Sequence, residues 1–253
     1  MKQRVAIVQR NIAWCDVQTN LDALEAMLED VKADIVVLSE MFQTGFVTDP
    51  SGEEDGRTLE WAKMMAAKLN AAIVGSWSVK LCDEYRNRMH FVRPTGEVDY
   101  YDKWHLFSVG GEAEHYTRGH ERRVVEWRGV RYLLAICYDL RFPVWSRQRG
   151  DYDAVIYSAL WPSPRRAVWQ TLLKARAIEN QAYVIGVNRV GDEPKLNYAG
   201  DSAIIDYRGV EMIMCENREC VAYAELDIDA LNGFRLKFNV SADADDFVMK
   251  YNY

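Results

Sequence analysis

Three residues combine a reactive side chain with a position at the end of an apolar run: Glu40, Lys103 and Cys137. Cys137 closes Leu133-Leu134-Ala135-Ile136, and a polar, proline-punctuated stretch, Tyr138-Asp139-Leu140-Arg141-Phe142-Pro143, follows it. A short apolar run bounded in this way reads as a buried strand, and Pro143 suits the first turn of a helix. The thiol therefore sits at a strand-to-helix bend. In open α/β sheets ligands bind outside the carboxyl ends of the strands, so a thiol there, with helix N-terminal amides nearby, is placed to act as a nucleophile. Glu40 closes Ile35-Val36-Val37-Leu38-Ser39, and Lys103 comes just after a hairpin. Taken singly, each has an ordinary explanation as an inert core cysteine, a surface carboxylate or a solvated amine. A carboxylate, an amine and a thiol that all close buried runs could instead converge on one cleft.

The elements that must position them follow from periodicity. Leu21, Leu24, Leu28 and Val31 recur at helical spacing and predict an amphipathic helix over 17–32, between strands at 5–8 and 34–39. A loop rich in Gly, Asp and Pro spans 44–56. A helix through Leu59, Ala62, Ala66 and Leu69 leads to a strand at 72–79. Runs at 85–92 and 98–101 flank Pro94-Thr95-Gly96-Glu97, the signature of a hairpin. Residues 104–122 show no clean periodicity but carry His105, His115, His120, Gly110-Gly111, Glu112 and Glu114, and loops of this kind often carry function. A second hairpin around Arg128-Gly129 leads into Cys137. A strand at 153–158, a helix at 167–181 and strands at 183–190 and 203–207 follow, and runs at 212–215 and 221–226 are expected to make a last pair. The tail, 241–253, alternates acidic and aromatic residues. Strands alternate with helices in both halves, which predicts an α/β layered domain with a mixed sheet. No repeat, low-complexity segment or linker divides the chain, so residues 1–253 are expected to form one domain.

Composition narrows the partners. The 253 residues are 49% hydrophobic and 27% charged, enough for a sizeable core and unlike a disordered chain. A net charge of −7 argues against nucleic acid or an anionic membrane as the main partner. The first apolar run is too short for a secretion signal, and no stretch reaches the ~18–20 apolar residues of a membrane span. Five scattered cysteines (15, 82, 137, 215 and 220) form no Cys-x-x-Cys pair, which points to a reducing cytoplasm. Apart from Cys137 they are expected to be small apolar side chains. The histidine spacings match no zinc pattern, no phosphate-binding glycine motif occurs, and neither a metal nor a cofactor is expected. A Cys137–His105 pair would imitate a cysteine protease, but the local signatures of those families are absent.

Four segments in order resemble the nitrilase superfamily of carbon–nitrogen hydrolases, over essentially the whole chain. They are Leu38-Ser39-Glu40-Met41-Phe42-Gln43-Thr44-Gly45-Phe46, Tyr101-Asp102-Lys103-Trp104-His105-Leu106-Phe107, Cys137 to Pro143, and Lys174-Ala175-Arg176-Ala177-Ile178-Glu179-Asn180-Gln181 with Gly186-Val187-Asn188-Arg189-Val190-Gly191. Many members have Pro where Ser39 stands; the carboxylate is kept. The resemblance implies a four-layer αββα sandwich, usually paired into dimers or larger assemblies, and a Glu–Lys–Cys triad at Glu40, Lys103 and Cys137. A further family glutamate falls best on Glu112, with Glu114 the weaker candidate. The Arg176–Glu179 stretch is implied to pack near the site or an interface rather than to be a mere polar helix face.

The implied roles suit the residue types. A free thiol has a pKa of about 8.5 and is mostly protonated at neutral pH, so Glu40 takes its proton as sulfur attacks an amide carbon. Lys103 and the backbone N–H of Tyr138 donate to the tetrahedral oxyanion, and Glu112 orients Lys103 or the substrate nitrogen. The second and third motifs, with Gly111-Glu112-Ala113-Glu114-His115-Tyr116, look like the short bacterial ω-amidases, which hydrolyse 2-oxoglutaramate and 2-oxosuccinamate. A nitrilase, a carbamoylase or another aliphatic amidase would use the same triad. A non-catalytic binding member of the fold is the alternative of a different class, and the length leaves no room for a synthetase domain. A small-molecule amide with an anionic head needs partners for its buried carboxylate. Arg141 could grip it, or could be a structural arginine paired with Glu179 or Asp139. Phe42, Tyr138 and Trp161 are expected to wall the carbon chain.

Overall fold

The computed structural model describes residues 1–49 and 56–249. Part of the loop expected over 44–56 and the last residues of the tail lie outside the described residues. The first half runs β1 (Lys2–Gln9), α1 (Val17–Leu28), β2 (Ile35–Val37), α2 (Arg57–Leu69), β3 (Ala72–Leu81), β4 (Glu84–Val92) and β5 (Val98–Asp102). The second half runs α3 (Glu112–His115), β6 (Val124–Trp127), β7 (Val130–Ile136), α4 (Pro143–Ser146), β8 (Ala154–Ser158), α5 (Arg166–Asn180), β9 (Tyr183–Val187), β10 (Val190–Asp192), β11 (Asn197–Ala199), β12 (Ala203–Ile205), β13 (Glu211–Met214), β14 (Cys220–Asp227) and α6 (Ile228–Lys237).

Two six-stranded sheets result, in the orders β14-β1-β2-β3-β4-β5 and β13-β12-β9-β8-β7-β6, with a small β10–β11 hairpin apart. Each has three parallel strands, β1-β2-β3 and β7-β8-β9, flanked by antiparallel ones. β2 and β8 are buried at every position, which is why they read as unbroken apolar runs. The two-residue period of a strand divides the apolar side chains between layers. Ile7, Val37, Val74, Phe91, Leu134, Ile156 and Ile185 meet between the sheets. Ala6, Val36 and Ile73 face outward onto Leu21, Leu24 and Leu28 of α1 and Met65 of α2. Leu133, Val155 and Val184 face outward onto Trp169, Leu173 and Ala177 of α5. The architecture is the αββα sandwich with mixed sheets.

Several local expectations are corrected. α1 stops at Leu28, short of residue 32, although Val31 stays buried. The runs at 212–215 and 221–226 do not pair with each other. β13 pairs with β12 and β14 with β1, in opposite sheets, because a strand's periodicity names its faces but not its partner. The run at 183–190 breaks into β9 and β10 at Asn188 and Arg189, both buried polar residues. Helix α6 follows an N-cap at Asp227, whose carboxylate accepts from the Ala230 N–H at 2.9 Å. Cys15 and Cys82 are not core side chains but exposed residues at left-handed positions, φ 54° and 55°. Among the described residues no helix is long and apolar enough to cross a membrane.

Candidate active site

The carboxyl ends of β2, β5, β7 and β8 meet at one end of the sandwich. The Ser158 hydroxyl donates to the Leu38 carbonyl across the two sheets at 2.7 Å, pinning the exits of β8 and β2 together. Around this clasp Glu40, Lys103 and Glu112 are buried, and each is almost fully inaccessible. The Lys103 ammonium donates to Glu40 Oε1 at 2.8 Å and to Glu112 Oε1 and Oε2 at 3.1 and 2.8 Å. The Asn87 amide bridges the same carboxylates, donating to Glu40 Oε1 at 2.7 Å and Glu112 Oε1 at 2.8 Å. Their remaining oxygens accept backbone N–H groups, Leu160 onto Glu40 Oε2 at 2.9 Å and Phe107 onto Glu112 Oε2 at 2.6 Å. Buried charges are tolerated when they are paired and hydrogen-bonded in this way. Of the two candidate glutamates it is Glu112, on α3, that reaches Lys103; Glu114 is exposed.

Cys137 follows β7 directly and has φ 43°, a left-handed conformation that a non-glycine residue adopts at a price in strain. Asp139 holds this turn. Its carboxylate accepts the Ile136 N–H at 2.9 Å, the Tyr101 hydroxyl at 2.8 Å and the His105 N–H at 3.0 Å, and lies 2.8 Å from His105 Nδ1. From α5, Arg176 Nη2 donates to the Leu140 carbonyl at 2.7 Å while Nη1 pairs with Glu179 at 3.0 Å. The Arg176–Glu179 stretch thus braces the segment that carries the thiol. Pro143 opens α4 as expected. His105 stacks on Phe142 with centroids 3.8 Å apart and turns to Asp139, and His115 and His120 are exposed.

The charges tune one another. Burial pushes the Glu40 carboxyl above its ordinary range; Lys103 pulls it back, and Glu112 pushes it up again. Burial alone would lower the Lys103 pKa, but Glu112 and then Glu40 outweigh it and keep the amine cationic. The Cys137 thiol is held well above its ordinary value, first by burial and then by the negative charge of Glu40, with Lys103 opposing. The resting site therefore holds a neutral thiol beside a carboxylate able to take its proton, and an ammonium beside both.

Lys103 and Cys137 open onto a cavity of about 330 Å³, walled by Trp14, Phe46, Phe107, Tyr138, Leu160, Trp161 and Tyr198. Trp161 and Tyr138 line it as expected. Phe42 does not. It is buried behind the sheet, against Trp61 and Trp77 at centroid distances of 5.8 and 5.7 Å. The left-handed turn at Met41, φ 40°, sends the chain on from Glu40, and residue 42 takes its place in the helix-facing core. Arg141 lines the cavity with its guanidinium 5.1 Å from the Trp161 ring centroid. Glu179 and Asp139 are engaged by Arg176 and by Tyr101 and His105 instead. Asn188 fixes Trp161 through both main-chain groups, accepting its N–H at 2.8 Å and donating to its carbonyl at 3.0 Å.

Sequence reasoning missed Asn87 and the clamp by Asp139. Asn87 had a signal, because it stands in phase with Met89 and Phe91 on β4 and both of those face the core between the sheets. A polar residue at such a position needs a partner, and here it has two.

On this αββα sandwich a carboxylate–ammonium–carboxylate cluster lies buried beside a strand-end thiol, and the chain belongs to the carbon–nitrogen hydrolase family, whose model matches residues 4–235. Among curated proteins it is 42% identical to an omega-amidase, YafV of Yersinia enterocolitica, over 97% of this chain and 98% of that one. It is also 35% identical to the 2-oxoglutaramate amidase of Bacillus subtilis, over 90% and 92%. Among solved structures it superposes on XC1258 of Xanthomonas campestris, a CN-hydrolase superfamily protein with an arsenic adduct in its active site. There the TM-score is 0.96 and the identity 40%, covering 99% of this chain and 100% of that one.

Proposed function

We propose that this hydrolase is an ω-amidase that cleaves the terminal amide of a short 2-oxo acid, 2-oxoglutaramate or 2-oxosuccinamate, through a thioester on Cys137. The observation that carries the chemistry is the buried Lys103 ammonium clasped between Glu40 and Glu112 against the thiol's cavity. The thiol proton passes to Glu40 as sulfur bonds to the amide carbon. The carbonyl oxygen gathers negative charge against Lys103 and the Tyr138 N–H. Glu40 then protonates the nitrogen, the C–N bond breaks and ammonia leaves. Water, deprotonated by Glu40, attacks the thioester and restores the thiol as the acid departs. Glu112 and Asn87 keep Lys103 and Glu40 in register throughout. The names of the related proteins support the substrate class.

A nitrilase or carbamoylase would use the same three side chains, so the substrate is tested by a panel. With 2-oxoglutaramate, glutamine, hexanamide and a simple aliphatic nitrile, kcat/KM is expected to be highest for 2-oxoglutaramate. A tenfold or greater preference for hexanamide or the nitrile would sink the ω-amidase assignment and leave the triad standing.

The same reading includes self-association. Apolar side chains are exposed at Ile178 on α5, at Val210 and at Leu236 and Phe238 at the end of α6, and C2 pairing is the commonest way in which exposed apolar surface is covered. Light scattering at micromolar concentration should give a dimer mass or a multiple of it; a monomer mass removes the idea.

A further inference from the structure

The charged groups around the cavity are unevenly matched. Lys103 is neutralised by its two carboxylates. The cavity's other carboxylate, Glu193, is spent as well. Its Oε1 takes Arg189 Nη1 at 2.8 Å and the Phe46 N–H at 3.1 Å, and its Oε2 takes the Tyr198 hydroxyl at 2.8 Å. Two guanidiniums have no such match. Arg141 and Arg165 are half-buried, and both line the cavity. Among the described residues neither has a carboxylate within ion-pair distance. Each lies instead over an aromatic ring, Arg141 at 5.1 Å from the Trp161 centroid and Arg165 at 5.3 Å from that of Phe107.

Those rings are tied to the reacting groups. The Phe107 N–H donates to Glu112, the partner of Lys103. Trp161 is the residue after Leu160, whose N–H donates to Glu40 and whose carbonyl lies 3.7 Å from Cys137 Sγ. Trp161 also links the two arginines, its ring beneath Arg141 and its Nε1–H donating to the Arg165 carbonyl at 2.8 Å. Both guanidiniums are thereby seated on rings whose main chain is anchored beside the reacting groups. A guanidinium seated on a ring keeps its in-plane N–H groups for a planar acceptor.

We propose that Arg165 acts with Arg141 as a two-arginine clamp for the end of the substrate remote from the amide, and that Arg165 sets the enzyme's choice of an anionic 2-oxo head over a neutral or α-ammonium one. The inference rests on the amidase reading above and names what that reading leaves open, the groups that select the head. A carboxylate next to a 2-oxo group presents coplanar oxygens that two forks can share. Two unmatched cations repel the α-ammonium of glutamine, so the clamp selects by rejection as well as by attraction. Lys195 also lines the cavity but is exposed, and its charge is screened by water.

The test compares Arg165→Gln and Arg165→Lys with the wild type, measuring kcat/KM for 2-oxoglutaramate, pentanamide and glutamine. In Arg165→Gln the ratio of 2-oxoglutaramate to pentanamide should fall at least ~10-fold, mainly through KM, and the ratio of 2-oxoglutaramate to glutamine should narrow by a similar factor. Arg165→Lys, which keeps the charge and loses the fork, should fall between. Unchanged ratios in both variants, with the wild type still preferring the 2-oxo acid, overturn the clamp and leave the ω-amidase reading intact. A wild type that itself prefers pentanamide overturns both.

Discussion

Cys137→Ala should abolish amide turnover, leaving less than ~10⁻⁴ of the wild-type kcat, as loss of a nucleophile does in acyl-transfer triads. The fold should persist, because the thiol adds little to the turn that carries it: its contact with the Leu160 carbonyl is a long one, 3.7 Å. The turn around it is fixed by Asp139 and Arg176 rather than by sulfur. Cys137→Ser should be nearly as inactive, since a hydroxyl is far less acidic than a thiol and Glu40 would have to deprotonate it. Intact-protein mass in samples quenched with acid during a single turnover is the direct readout: the wild type carries an acyl adduct and Cys137→Ala does not. Because Cys15 and Cys82 are exposed, any labelling experiment must be read on the peptide that contains Cys137. Near-wild-type turnover by Cys137→Ala would refute the thioester mechanism.

The second large effect is expected at Lys103. Lys103→Ala removes a donor to the oxyanion, which alone is worth ~100-fold or more in kcat. It also leaves two fully buried carboxylates without their cation, and breaking one partner out of a buried ionic cluster costs about 3–5 kcal/mol of stability. Both losses should appear together, in kinetics and in thermal unfolding. The pH dependence gives a further mark. Glu40 is already above its ordinary range through burial, and Lys103 is the largest influence holding it down. Without Lys103 its folded-state pKa rises further. A carboxyl raised in this way favours the folded state at pH below its unfolded value, and that contribution is lost as pH climbs through the folded value. The variant should therefore lose Tm between mildly acidic and neutral pH more steeply than the wild type. A variant with wild-type stability and pH profile would mean that the cluster does not depend on Lys103 for its charge balance.

How much of this was legible beforehand depended on the kind of signal. Glu40, Lys103 and Cys137 each end a buried strand or hairpin, and runs such as 133–136 are hard to read as anything else. The carboxyl ends of parallel strands then converge by topology. Glu112 was chosen over Glu114 from the family pattern, and the structure brings Glu112 to Lys103 by closing one turn of helix after Gly111. Phe42 falls elsewhere because the one residue that separates it from Glu40, Met41, is left-handed, a backbone event with no periodic trace. Asn87 and Asp139 went unseen for a different reason. Their partners are 25 to 47 and up to 38 residues away, and no local pattern announces a long-range hydrogen bond. Strand pairing failed in the same way at β13 and β14.

That last pairing also shapes how the polypeptide is made. β1 is bordered on one side by β14, in register over its whole length from Lys2↔Asp227 to Gln9↔Cys220. On the ribosome the first strand emerges about 210 residues before its neighbour. At ~5–20 residues per second it waits roughly 10–40 s with one edge open. The segment left waiting includes the apolar run Val5-Ala6-Ile7-Val8, and an open apolar edge is the template on which nascent chains join one another. The emergence of β14 is thus the closing of a sheet: a chain cut short before residue 220 would carry Glu40, Lys103 and Cys137 on a sandwich whose first sheet lacks β14 and leaves β1 unsealed.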